Sequence, residues 1–254
     1  MTHIKAYSLK LPMIKKGDPI PELILASLEK EGLDLDENDI IVVTEKIVSK
    51  SDGRLIDLNT VTPSEKAKKL AEKTDKDPRL VELILKESNE ILKVGENFII
   101  TETKQGLICA NAGIDSSNIE EGKAKILPEN PDKTASEIRK TIREKTGKDI
   151  GIIISDSFGR PFRYGSMGVA IGASGVNMLW DRRGEKDLYG RVLETTRISV
   201  GDSLASLANL VSGDADEKTP VVLIKGGEFR GNGKASDLLR EKDKDIFRPR
   251  GEKL

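Results

Sequence analysis

The chain has 254 residues and a formal net charge of −1, long enough to bury a substantial core and without a global field for nucleic acid or an anionic membrane. Its one cysteine, Cys109, excludes an internal disulfide and a cysteine-rich metal site. Its one histidine, His3, lies at the start of the chain and argues against a Ser-His-Asp triad or a histidine-rich zinc centre.

Charged residues make up 33% of the chain and cysteine is nearly absent, a Lys- and Glu-rich balance also found in heat-adapted proteins. No segment has the form of a signal peptide and no apolar run approaches ~18 residues. The expectation is a soluble, cytoplasmic protein with no nucleic-acid or membrane partner.

In chain order, residues 4–11 alternate loosely and predict a strand that ends at Leu11-Pro12. Pro19 and Pro21 open a helix that continues over residues 22–31 and stops at Gly32. Residues 39–44, DIIVVT, predict a buried strand, followed by Glu45, Lys46, Ser49, Lys50 and a turn at residues 51–53. Thr62-Pro63-Ser64-Glu65 predicts a helix start, and a second helix follows from Pro78 with Leu80, Leu83, Ile84, Ile91 and Leu92 at helical spacing. Residues 98–103 and 107–110 predict a hairpin, and a polar loop holding Asp115 follows it.

Thr134 and Glu137 have capping-box spacing, with Gly147 as a stop, so a helix is expected between them. The Gly-rich stretch over residues 165–175 permits close backbone approach, to another strand or to a ligand. A strand over residues 192–200, a helix over 203–210 capped by Asp202, an acidic loop over 212–217, a strand over 220–224 and a short helix near 236–241 complete the chain. Strands and helices mix without a strict strand–helix–strand rhythm, which predicts the α+β class.

The segment GIIISDSFGRPFR, residues 151–163, concentrates the chemistry. Three isoleucines predict a short buried strand that ends in Ser155-Asp156-Ser157, with Arg160 and Arg163 just beyond. Carboxylate and hydroxyl oxygens suit Mg²⁺ or Mn²⁺, and arginine suits phosphate or carboxylate. The simpler alternative is a capped turn in which Asp156 and Ser157 bond nearby amides.

Asp115, Asp156 with Ser157, and Asp214 each sit in a loop that follows a regular element. If they converge, they could hold two divalent ions with phosphate oxygens completing the shells, while Lys46, Lys50, Arg160 and Arg163 neutralise anionic groups. Surface loops also carry aspartates with no such role. Gly231-Asn232-Gly233-Lys234-Ala235-Ser236 imitates a phosphate loop but has Glu228 where a glycine is required and Ala235 where Ser or Thr is required.

Five segments occur in register: Leu11-Pro12-Met13-Ile14; Val48-Ser49-Lys50 with Gly53-Arg54; residues 111–118, NAGIDSSN; residues 156–160, DSFGR; and residues 187–191, DLYGR. Together they resemble the coenzyme F420-0:L-glutamate ligase family, from about residue 5 to residue 245. The resemblance implies a GTP-dependent ligase that joins L-glutamate to F420-0 and then, by γ-linkage, to F420-1, through an acyl phosphate. It implies two Mg²⁺ or Mn²⁺ ions and K⁺. It also implies mixed, largely antiparallel sheets with flanking helices, forming one catalytic unit over residues 1–254 with two interlocked lobes, in an intertwined homodimer.

By position, Asp115, Asp156, Ser157 and Asp214 would be metal ligands. Leu11, Pro12, Met13, Ile14, Glu45, Lys46, Lys50 and Asn118 would line the GTP site with the loop Ser212, Gly213, Asp214, Ala215, Asp216, Glu217, Lys218 and Thr219. Asp156, Arg160 and Arg163 would be the catalytic group. Ser157 stands where a threonine is usual and Asp214 where a longer Gln or Glu is usual, while Glu45-Lys46 replaces small hydroxyl residues. Another carboxylate acceptor, or nucleotide binding without ligation, remain as alternatives.

Overall fold

The computed structural model describes residues 3–213 and 215–248 and the backbone of residues 252–253. The first elements are β1 (Lys5–Leu9), α1 (Ile20–Glu31), β2 (Ile40–Thr44), α2 (Glu45–Ser51) and β3 (Leu55–Asp57). Then come α3 (Glu65–Thr74), α4 (Pro78–Lys86), β4 (Ser88–Gly95), β5 (Phe98–Thr103), β6 (Ile108–Ala110), β7 (Lys123–Lys125) and α5 (Pro131–Thr146). The remainder is β8 (Gly151–Arg160), β9 (Arg163–Ser174), β10 (Leu179–Asp181), β11 (Arg197–Ser199), α6 (Val200–Ser212), β12 (Val221–Lys225) and β13 (Glu252–Lys253).

The main sheet has the order β1-β12-β2-β8-β9, and its one parallel pairing is β2 with β8. The runs IIVVT in β2 and VVLI in β12 are apolar at consecutive positions because both faces of these strands are covered. Ile41, Val43, Ile152 and Ile154 pack with residues of α1 and α5 on one face, while Ile40, Val42 and Ile153 pack with Leu204, Ala205 and Ala208 of α6 on the other. A separate apolar cluster joins α3, α4, β4 and β5. The smaller sheet has the order β13-β4-β5-β6, and β3 pairs with β7 and β10 with β11 as two-stranded ribbons. Largely antiparallel sheets, with helices that do not alternate regularly with parallel strands, make this an α+β fold.

The Gly-rich stretch lies in β9, where its small residues admit two helices. A Cβ on Gly168 would stand 2.2 Å from the carbonyl oxygen of Ala205 in α6, and one on Gly172 would stand 2.5 Å from backbone of Pro131 at the start of α5. The tempting Gly231-Gly233 segment is structural: Gly231 N–H donates to Gly175 O and Gly233 N–H to Val176 O, tying it to the end of β9.

Several predicted boundaries are corrected. Ile91 and Leu92 belong to β4, where a register shift between Ile91 and Lys93 breaks the period-two alternation and lets both be buried. Asn130 caps α5 by accepting from Lys133 N–H, so Thr134 lies inside the helix. Ser199 caps α6, leaving Asp202 to accept from Ser199 Oγ and from Ala170 N–H of β9. The strand expected over residues 192–200 shortens to β11, and the last short helix is a 3-10 turn at Ala235–Leu238. The segment after β2 is helical, as α2.

Candidate active site

The strand bearing Asp156 is longer than the sequence predicts. β8 passes straight through Ser155-Asp156-Ser157 because β9 pairs with it as far as Arg160–Arg163, and the turn is the two-residue tip Pro161-Phe162. A register shift between Ile154 and Ser155 marks the place where the neighbour β2 ends. Consecutive residues in an extended strand point to opposite faces. Ser157 Oγ accepts from Asn209 Nδ2 of α6 at 3.0 Å, whereas Asp156 lies on the side of Lys125, Lys46 and Asp115.

The second wall is the loop after β6. Asn111 and Ala112 both adopt positive φ there, a sparsely populated conformation for such residues that commonly marks functional loops. Asp115 is pinned by backbone bonds in both directions to Lys125, its N–H donating to Lys125 O at 3.2 Å and its carbonyl accepting from Lys125 N–H at 2.8 Å. Its carboxylate accepts from Ser117 N–H at 2.9 Å and from Ser117 Oγ, and pairs with Lys46 Nζ at 3.1 Å. Lys46 also donates to Ser117 Oγ at 2.9 Å.

Lys50, one helical turn on in α2, donates to Asn118 O at 2.9 Å, and Asn118 Nδ2 donates to Ala215 O at 2.9 Å. Together these segments enclose a cavity of about 320 Å³, whose lining includes Glu45, Lys46, Asp115, Asp156, Ser157 and Ser212.

Below this floor lies a buried ion pair, Lys125 with Glu45, the two side chains 1% and 2% exposed. Ser49 Oγ donates to the other Glu45 oxygen at 3.1 Å. Burial pushes the Glu45 carboxyl up to about 7, the nearby Asp156 adding to it and Lys125 opposing it. Burial likewise raises Asp156, against the pull of Lys125, Lys46 and the Ser157 N–H. For Lys125, burial favours the neutral amine, but Glu45, Asp156 and Asp115 outweigh it and keep the ammonium charged. For Asp115 burial is also opposed, here by Ser117 and Lys46, and the carboxyl ends below its usual range. Three carboxyl groups thus share two ammonium groups. Cys109 lines the same cavity, but burial and Asp156 push its thiol up to about 12, which removes it as a nucleophile at neutral pH.

The family model described as F420-0:Gamma-glutamyl ligase matches residues 8–226. The chain belongs to this family. A protein named coenzyme F420:L-glutamate ligase from Methanocaldococcus jannaschii is 53% identical over 248 residues, covering 96% of this chain and 97% of the relative. Relatives of the same name from Methanothermobacter thermautotrophicus and Archaeoglobus fulgidus are 51% and 41% identical, over 94% of this chain and 96% and 93% of their own lengths.

The residues singled out from sequence lie in several places. Asp115, Asp156, Ser157, Glu45, Lys46 and Ser212 all belong to the lining of one cavity, with Lys50 bonded to Asn118 beside it. Leu11 and Ile14 are buried in the core, Pro12 and Met13 are exposed, and Leu11 N–H donates to Lys218 O, so this segment abuts the loop before β12. In that loop, Thr219 Oγ1 donates to Ser212 O at 2.7 Å and Glu217 accepts from Ala215 N–H at 2.8 Å, with Ala215, Asp216, Glu217 and Lys218 all exposed. Gly213 caps α6. Asp214 lies outside the described residues. Arg160 and Arg163 flank the hairpin tip in solvent, past Gly159 and Ser166 at the cavity mouth.

Sequence reasoning passed over Lys125 and Asn209. Local sequence offers little signal for Lys125, which follows Lys123 and Ala124 and precedes Ile126 and Leu127.

Asp115 and Asp156 offer carboxylate oxygen, the donor type that suits a hard cation, and burial is the chief cause that raises the Asp156 carboxyl. Among the described residues no three His, Cys, Asp or Glu side chains form a closed metal-binding group, so an ion here would draw further oxygens from its substrate. Among the same residues no helix is long and apolar enough to cross a membrane.

Proposed function

We propose that this chain, a ligase by its family, adds L-glutamate to coenzyme F420-0 and then by γ-linkage to F420-1, at the expense of GTP. The observation that carries the reading is the cavity in which carboxylates from β8 and from the loop after β6 meet the lysines of α2. Anionic oxygens and mobile ammonium groups on one floor are what phosphoryl transfer between two anions requires. The names of the relatives supply the acceptor and the amino acid.

A carboxylate is a poor electrophile until phosphorylated. In this reading the terminal carboxylate of F420-0 takes the γ-phosphoryl of GTP, giving an acyl phosphate and GDP. The glutamate amine then attacks the acyl carbon, the C–O bond to phosphate breaks, and the amine proton leaves to a carboxylate or phosphate oxygen. In this reading Lys46, paired with Asp115, would exchange that partner for a phosphate oxygen, and Lys50 would follow it. Asp115, Asp156, Ser157 and Asp214 would hold two Mg²⁺ or Mn²⁺ ions, with K⁺ also present; such ions offset the repulsion between the two reacting anions.

A homodimer belongs to the same reading. It is supported by the exposure of Phe162, Tyr164, Leu188 and Tyr189 on two projecting turns.

The test is purified protein with GTP, Mn²⁺, K⁺, glutamate and F420-0, followed by mass spectrometry. One and then two added glutamates are expected. Phosphate release only with a different carboxylate acceptor would move the activity to that acceptor, and GTP binding without turnover would leave a nucleotide-binding protein.

A further inference from the structure

Lys125 heads the fully buried side chains by size, and it is not among the residues that line the cavity. A buried ion pair stabilises no better than an apolar pair of similar volume, because desolvation offsets the attraction. What it does supply is a fixed distance and direction between the two chain segments that carry it.

Those segments are the two walls of the cavity. Glu45 opens α2 and is followed directly by Lys46, while Lys125 ends β7 and is bonded through its backbone to Asp115. Two ion pairs therefore join these segments, an outer rung and an inner one. The outer rung, Lys46 to Asp115 at 3.1 Å, is partly exposed and must open when an anionic ligand takes the Lys46 ammonium. The inner rung, Lys125 to Glu45, is closed to solvent and is oriented by Ser49.

We propose that Lys125 is a positioning residue for the ligation: its buried bond to Glu45 holds the Lys46 wall and the Asp115 wall at the spacing from which both reach one phosphate group while the outer rung is open. The role rests on the nucleotide-dependent ligase reading above. It gives Glu45 a place within the floor of the site, where sequence alone suggested a direct contact with GTP.

The double variant Glu45→Gln/Lys125→Met removes both charges of the pair together and keeps the volumes close, leaving Lys46 as the ammonium neighbour of Asp156 and Asp115. Its melting temperature, its affinity for a non-hydrolysable GTP analogue with Mn²⁺, and its steady-state kinetics are compared with the parent. The expected result is a folded protein with weaker analogue binding, a kcat lowered about 100-fold and an unchanged KM for glutamate. A folded double variant with the parent's kcat and analogue affinity overturns the proposal. Should the double variant not fold, Ser49→Ala decides: losing one orienting hydrogen bond is expected to lower kcat about fivefold while the melting temperature falls by only a few degrees, and an unchanged kcat overturns the proposal. Absence of glutamate addition by the parent itself overturns the ligase reading and, with it, this role.

Discussion

Residues 151–155 of β8 are wedged between β2 and β9 and covered by helices on both faces, and Ile152, Ile153 and Ile154 are wholly buried. Residues 156–160 keep β9 as their partner but have outrun β2, which ends at Thr44 and turns into α2. Both halves are strand paired with β9, and the change from apolar to polar follows the loss of one neighbour. Where β2 leaves the sheet, it opens a gap beside β8 and delivers Glu45, Lys46 and Lys50 to its edge. A strand that continues past such a gap is a rigid shelf, and Asp156 stands on it with a better-defined direction than a loop would give.

If this division is right, mutations in the two halves should separate activity from stability. Asp156→Asn carries the largest expected effect, a loss of glutamate addition of roughly 10³-fold or more. The fold should survive it, because Asn can still accept from the Ser157 N–H and burial already works against the charge at this position. Mass spectrometry of the products and a thermal melt together decide the point. An active Asp156→Asn would make the far half of β8 merely a strand.

Ile153→Ala is the converse. It removes a side chain packed between β2 and α6 and should cost about 3 kcal/mol in urea unfolding, with kcat per folded molecule unchanged. A parallel fall in kcat would mean that the two halves are mechanically coupled.

The same division explains how much could be read in advance. Buried runs such as IIVVT, the αL glycines Gly32 and Gly147 that end α1 and α5, and the small residues of β9 announce themselves through local sequence, because burial and backbone geometry act residue by residue. The candidate site was legible as a set of residue types, and Asp115, Asp156, Ser157 and Lys46 do share one cavity. Its shape was not. Polar residues after an apolar run look like a turn, and only pairing with β9 reveals that Asp156 and Ser157 lie in a strand with opposed side chains. Lys125 and Glu45 were out of reach for the same reason: their partnership spans 80 positions, and a charge in the sequence carries no mark of what neutralises it. Leu92 was misplaced because a bulge gives a strand the spacing of a helix.

The tip of the hairpin marks the far limit of the shelf and carries the smallest expected effect. Arg160 and Arg163 face each other across the Pro161-Phe162 turn, both in solvent, and Phe162 itself packs only edgewise toward Phe247 with ring centroids 6.3 Å apart. An exposed guanidinium contributes little to stability, so Arg163→Ala should leave the melting temperature within about 2 °C. If the arginines hold carboxylate groups arriving at the cavity mouth, the substitution should raise the KM for glutamate or for the F420 acceptor about tenfold, with kcat nearly unchanged, since such contacts are made equally in the ground and transition states. Steady-state kinetics with each substrate varied in turn reads this directly. Unchanged Michaelis constants for both would end the site at Gly159 and assign the tip to surface.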